Sequence, residues 1–304
     1  MGLQFIPYDT NIDFVGKKSF TFAFSIFLTI GAIGAFFWKG LNYGIDFVGG
    51  YVLEVRTSEK ADLSGMRKTL SDLNIGEVSL QEFGSPQDVL IRIPSLEGDA
   101  RAWAASLERV KNALGASVEI RRTETVGPKV GKELIENATY AVILSLLAIL
   151  VYIWVRFEWQ FAVCGVIALV HDCVILLGLY SLCHFLEFNT NAIVSFLLTA
   201  SYSIHDTVVV YDRIRENMKK IKSMPLPDII NLSMNETLSR TVLTTVTTLL
   251  ALLAMCCFGG AIIMEFSFSL LVGFSFGGFS SVCLSAPLLL HTGLKNTKKT
   301  PTSA

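Results

Sequence analysis

Apolar residues along this chain gather into six runs, each close to the ~20 residues a helix needs to cross ~30 Å of hydrocarbon. The runs lie at residues 19–38, 138–155, 161–180, 190–211, 241–258 and 266–290. Between the first and second the pattern changes. GYVLEVRT alternates apolar and polar positions as a strand does, and residues 61–73 carry helical spacing. EVSLQEF and DVLIRIP alternate again across a Gly84-Ser85-Pro86 turn, residues 99–114 are helical, and SVEIRRTETV forms a last strand.

The polar stretch therefore reads βαββαβ, the order of the ferredoxin-like arrangement, in which an antiparallel sheet carries two helices on one face. Its ~85 residues suffice to bury a small core. The predicted fold class is an α-helical polytopic membrane protein of six transmembrane helices, with one α+β ferredoxin-like domain between helices 1 and 2. The expected divisions are an N-terminal arm at residues 1–18, the first helix at 19–38, and the external domain with its connections at 39–137. Helices 2–6 follow at 138–290 with a loop at 212–240, and a tail at 291–304.

Composition agrees with a membrane chain: 52% of the 304 residues are hydrophobic and only 17% are charged, and mean hydropathy is +0.53. A soluble enzyme is excluded on those grounds. A net charge of -1 leaves no basic excess for phosphates, so nucleic acid is not an expected partner. Lys17, Lys18, Arg156, Arg213, Arg215, Lys219, Lys220, Lys222, Arg240, Lys295, Lys298 and Lys299 all fall on one side of the predicted membrane. The two short connections on the other side carry no Lys or Arg. Both termini are thus expected in the cytoplasm and the polar domain on the opposite side. The six cysteines fall in or beside apolar runs without zinc spacing, so they read as small hydrophobes, and neither a disulfide framework nor a metal site is expected.

Candidate chemistry lies inside the helices, where each ionisable group costs about +2.5 to +3.5 kcal/mol and defaults to a functional reading. His171-Asp172 sits in the third helix and His205-Asp206 in the fourth. Asp172 is ~16 Å in from the start of its run, near the midplane, and Asp206 ~7.5 Å inside the opposite end of its own. Ser195, Thr199, Tyr202, Ser203, Asp206 and Arg213 recur at helical intervals on one face, and Arg240, Thr244, Thr245, Thr247 and Thr248 make a second polar stripe on the fifth helix. Two such stripes on neighbouring helices could hold a short path for protons. The bland alternatives are packing hydroxyls and an arginine that snorkels to the headgroups. GFSFG, from Gly273 to Gly277, is a small-residue motif suited to close helix contact. No nucleotide cradle is present, and neither aspartate has the glycine-rich context of an intramembrane aspartyl protease.

Four segments then carry a specific pattern: GIDFVGG from Gly44, VGPKVGKEL from Val126, SYSIHDTVVVYDRIREN from Ser201 and TLSRTVLTTVTTL from Thr237. Together they resemble the SecF family, the smaller membrane subunit of the bacterial SecDF protein-export complex, over nearly the whole chain. The family usually has Gly-Tyr-Ser where this chain has Ser201-Tyr202-Ser203, and Phe at Tyr211. The resemblance implies a half-transporter of the resistance-nodulation-division type. It would pair with SecD, associate with the SecYEG channel and with YajC, and use the proton-motive force to draw a translocating preprotein across the lipid bilayer. It also implies that this bilayer is the bacterial inner membrane, with the polar domain on its periplasmic side. It implies Asp206 and Arg240 as the proton-coupling pair. Asp172, Tyr202, Ser203, Thr244 and Thr248 become secondary candidates, with Asp172 expected at the SecD interface. Asp46, Gly49 and Gly50 match the segment leaving helix 1, where glycines would let the external domain pivot. No cofactor is implied. The alternative reading is a proton-coupled small-molecule efflux transporter.

Overall fold

A computed structural model describes residues 10–73, 75, 78–83, 85–94, 100–115 and 118–294. In chain order, α1 (Lys18–Lys39) is followed by a short α2 (Ile45–Val48), then β1 (Gly50–Thr57), α3 (Leu63–Ser71), β2 (Ser79–Phe83), β3 (Ser85–Pro94), α4 (Ala100–Leu114) and β4 (Val118–Val126). The long helices α5 (Pro128–Arg156), α6 (Trp159–Leu182), α7 (Thr190–Lys220), α8 (Leu226–Phe258) and α9 (Gly260–Ser280) come next. The last continues through a π-turn at Ser281–Ser285 into α10 (Ala286–Leu288). Among the described residues six helices are long and apolar enough to cross a membrane. Each predicted run falls inside one of them. The basic tail residues Lys295, Lys298 and Lys299 lie outside the described residues.

Two sequence boundaries move. The segment 212–240, expected as a loop, is mostly helix, and only Ile221–Pro225 turns the chain between α7 and α8. The extensions are amphipathic: Ile214, Ile229, Ile230 and Met234 are fully buried. Their polar faces are cross-linked, Asn217 donating to Ser233 Oγ at 3.0 Å and to Glu236 at 2.6 Å, with Arg213 bound to Glu236 at 2.7 Å. An apolar run marks where a helix meets lipid, not where it ends. Of the expected Gly84-Ser85-Pro86 turn, Gly84 lies outside the described residues, while Ser85 already pairs with Phe83 and Pro86 lies within β3.

The sheet has the order β2-β3-β1-β4 with antiparallel pairing throughout. Strand alternation gives it two unlike faces. Leu53 and Val55 of β1 with Val89, Ile91 and Ile93 of β3 point into an apolar core closed by Leu70 of α3 and Val110 of α4. Asp62 caps α3, accepting from the amides of Ser64 and Gly65 at 3.1 and 3.0 Å. The opposite face carries Val52, Glu54, Leu90, Arg92, Arg122 and Glu124, and with Asp46, Glu187 and Glu265 it encloses a cavity of about 180 Å³. That face rests on the helix bundle. Arg92 pairs with Glu187 in the α6–α7 connection at 2.5 Å, and Gln81 donates to Glu265 of α9 at 3.2 Å.

Within the bundle, α1 crosses α6 so closely that a Cβ on Gly178 would lie 2.5 Å from Ala32 Cβ. Ser181 Oγ then donates to Ala35 O across the contact at 2.8 Å. At one end, Phe157, Phe161 and Tyr211 form an aromatic cluster, with Phe161 edge-on to Tyr211 at 5.0 Å. Such pairs add about 0.5–1.5 kcal/mol beyond their area.

Candidate functional site

Small residues on α9 bring it against the polar face of α7. A Cβ on Gly273 would stand 2.3 Å from Thr199 Oγ1, and one on Gly277 would stand 3.2 Å from Ser203 Cβ. Only glycine permits so close an approach at Gly273. The hydroxyls of Ser195 and Ser269 consequently meet at 2.9 Å. One turn beyond Gly277, Ser280 reaches Asp172 of α6.

Asp172 is 1% exposed. Its Oδ2 accepts from Ser203 Oγ at 2.7 Å and from Ser280 Oγ at 2.6 Å, while its Oδ1 lies 3.1 Å from His171 Nδ1. Three helices thus converge on one carboxylate. The π-turn begins at the residue after Ser280, and its Ser285 carbonyl accepts from the fully buried Tyr211 hydroxyl at 3.4 Å.

Asp206 stands three residues after Ser203, on the same face of α7. It is 5% exposed and makes no hydrogen bond among the described residues; its Oδ2 is buried without a partner. On α8 the Thr241 hydroxyl is likewise buried without a partner, and Arg240 is exposed. No ion pair joins Asp206 to Arg240. Tyr202 ties α7 to α8 through a bond to Thr245 Oγ1 at 3.1 Å and stacks on Phe274 at 4.2 Å. Thr244 and Thr248 donate back to carbonyls of their own helix.

The predicted stripe therefore divides. Ser203 serves Asp172 rather than Asp206, and Arg213 belongs to the Glu216 and Glu236 pairs at the end of the bundle. Asp172 does not face out toward another subunit, because its partners from α7 and α9 enclose it. Asp46, Gly49 and Gly50 lie in a segment tied to the α6–α7 connection and to α5. Asp46 Oδ2 accepts from the Thr190 amide at 2.9 Å, Phe188 and Asn42 bond through their backbones at 2.7 Å, and a Cβ on Gly131 would stand 2.5 Å from the Phe47 carbonyl oxygen. Gly49 and Gly50, at φ 78° and 147°, supply the left-handed turn from α2 into β1.

Sequence reasoning passed over Ser280, Arg92, Glu187 and Glu265. Six serines fall between 267 and 285, and of these Ser269 and Ser280, eleven residues apart, share one helix face, which was the readable signal. Glu187 and Glu265 are carboxylates in the same two connections that lack Lys and Arg.

Comparison with known proteins decides the family. Residues 106–295 match the model of the SecD/SecF protein export membrane protein, C-terminal region, and residues 34–61 match the SecD/SecF GG motif. The protein translocase subunit SecF of Rickettsia bellii is 45% identical over 294 residues, covering 94% of this chain and 95% of its own length. The chain belongs to the SecF family. SecF of Rickettsia prowazekii is 46% identical over 290 residues, with 94% and 93% covered. Among solved structures, SecDF of Thermus thermophilus aligns with a TM-score of 0.83 at 35% identity over 94% of this chain. A second SecDF structure, in a super-membrane-facing form, gives 0.70 at 36% over 93%. The chain spans 39% of the length of each SecDF chain. The SecF family comprises protein-export membrane proteins, and this member is a multi-pass membrane protein. The GG motif covers the end of α1 through β1, so Asp46, Gly49 and Gly50 fall within it.

Proposed function

We propose that the chain is the SecF-type half of a proton-driven export unit. It pairs with a SecD half, acts beside the SecYEG channel of the bacterial inner membrane with both termini cytoplasmic, and couples inward proton movement to motion that draws secreted polypeptides across. Asp206 carries the proton and Arg240 sets its charge state. The observation that carries this reading is the Asp206 carboxylate: it is buried on a helix long enough to span the membrane, with an oxygen that has no partner among the described residues. Such a group is costly to hold, and a functional role explains its presence.

Arg240 is exposed on the surface of the isolated chain, in a stripe with Thr244 and Thr247, which suits an interface with a second helical half. The 39% coverage of the SecDF chains supports a partner that supplies the remainder. One proton crossing ~100 mV delivers ~2.3 kcal/mol, enough to bias a two-state rocking motion about fifty-fold if fully coupled.

The test is secretion driven with and without a proton gradient, in vesicles holding the chain with SecD and SecYEG. Asp206→Asn keeps the shape but cannot release a proton, so gradient-stimulated export should disappear while assembly with SecD persists. Asp206→Glu should keep part of it. Full gradient stimulation in Asp206→Asn contradicts the reading.

A further inference from the structure

Asp172 is the most completely enclosed carboxylate of the bundle, and its hydrogen bonds have an arrangement that a purely structural anchor does not need. Ser203 Oγ and Ser280 Oγ both reach Oδ2, at 2.7 and 2.6 Å. They differ in one respect: Ser280 Oγ also lies 3.2 Å from Gly277 O of its own helix, whereas Asp172 is the one partner of the Ser203 hydroxyl among the described residues. The Ser280 hydrogen therefore has two acceptors. With the carboxylate charged, Ser280 donates to Oδ2. With a proton on Oδ2, the carboxyl O–H donates to Ser280 Oγ, and the Ser280 hydrogen turns to the Gly277 carbonyl. Both protonation states keep the Ser280 contact satisfied, and no heavy atom moves.

We propose that Asp172 is a second proton-carrying carboxylate of this chain, with Ser280 as the reversible partner that lets it load and unload while buried. The proposal rests on Asp206 being the first carrier. Ser203, which bonds Asp172, precedes Asp206 by three residues on one face of α7, a rise of about 4.5 Å along the axis. The proton that leaves Asp206 as it becomes charged is the proton that Asp172 gains, and the reverse step restores both. The groups that face Asp172 are His171 on its own helix, 3.1 Å from Oδ1 and with Nε2 buried unpartnered, Ser203 on α7, and Ser280 on α9. Cys173 follows it on α6, and His205 and Asp206 stand one turn along α7. The π-turn that starts beside Ser280 is a second sign of specialisation, since such turns are rare and frequently found at functional positions.

The test uses the full chain assembled with SecD and SecYEG in vesicles, with two readouts. One is gradient-stimulated export as a function of pH. The other is the infrared carbonyl stretch of a protonated carboxylic acid, which reports the hydrogen bond that the acid donates. Asp172→Asn should lower gradient-stimulated export at least about tenfold, the scale of a lost proton-transfer group. It should also remove an acid band that wild type shows. Ser280→Ala should shift that band and move the pH profile, while Ser280→Thr, which keeps the hydroxyl, should restore both. Wild-type export in Asp172→Asn overturns the proposal. So does Ser280→Ala with band and pH profile unchanged, and that pair of variants decides the matter if Asp172→Asn does not assemble. Loss in Asp206→Asn with no loss in Asp172→Asn removes the second carrier and leaves the first; no loss in Asp206→Asn removes the underlying reading.

Discussion

Asp172 and Asp206 sit on adjacent helices and are both withdrawn from solvent, yet they are held in opposite ways. Asp172 takes its partners from α6, α7 and α9, so its own chain completes the site. Asp206 has a buried oxygen without a partner among the described residues, and Arg240 on α8 is exposed and makes no ion pair with it. A carboxylate satisfied by its own chain contributes to the fold in which it sits. One left incomplete gains nothing from the resting fold, so its presence is explained by what happens when α7 and α8 move or when a second half covers Arg240.

That contrast has a direct thermodynamic consequence. Asp172→Ala would strand the Ser203 hydroxyl as a buried donor without an acceptor and take the carboxylate from His171 and Ser280, and should destabilise the chain by about 2–4 kcal/mol. Asp206→Ala removes a costly group that has no hydrogen bond to lose, so it should change stability by less than about 1 kcal/mol in either direction. Thermal unfolding in detergent measures both, and equal losses would erase the distinction. Next in size is Gly273→Val, which forces side-chain atoms into Thr199. It should cost about 1–3 kcal/mol by overpacking, and it should disturb Asp172 more than Asp206, because α9 supplies Ser280 to the former alone.

Smaller effects belong to the contact between the sheet and the bundle. Burial pushes the Glu187 carboxyl up to about 7 from its ordinary 4.5; the Arg92 guanidinium pulls against that shift, and Glu265 and Asp46 add to it. The group's docked pKa is raised, so its contribution to docking is full below about 4.5 and is lost as pH rises through about 7. Hydrogen exchange along β3 should accordingly slow on acidification across that window, and Glu187→Gln should flatten the dependence. Faster exchange on acidification would reverse the sign. Smallest of all, Arg213→Ala breaks pairs whose side chains are about one-third exposed, and should cost less than about 1 kcal/mol of stability.

Much of this was legible in the sequence because hydrocarbon is an exacting solvent. A backbone that crosses it must satisfy its own hydrogen bonds, as a helix does within one segment, and a run of ~20 apolar residues announces such a crossing. The sheet was equally readable, since Leu53, Val55, Val89, Ile91 and Ile93 alternate with polar neighbours. Alternation says that two faces differ but not what covers the second one, so the docking of Arg92 on Glu187 was invisible. The partners of Asp172 escaped for a related reason. Helical spacing places Ser203 and Asp206 on one face, but which neighbour each one meets is decided by the crossing of α9, and that depends on Gly273 and Gly277 making contact with α7 rather than with another helix.

The central claim is that Asp206 loses and regains a proton as the chain works. Its most direct test compares gradient-stimulated export by wild type, Asp206→Asn and Asp206→Glu, each assembled with SecD and SecYEG in the same vesicles. The account predicts that export without a gradient is the same in all three, that the gradient adds nothing in Asp206→Asn, and that Asp206→Glu recovers part of the increment. An Asp206→Asn variant that assembles normally and responds to the gradient as wild type does would contradict it.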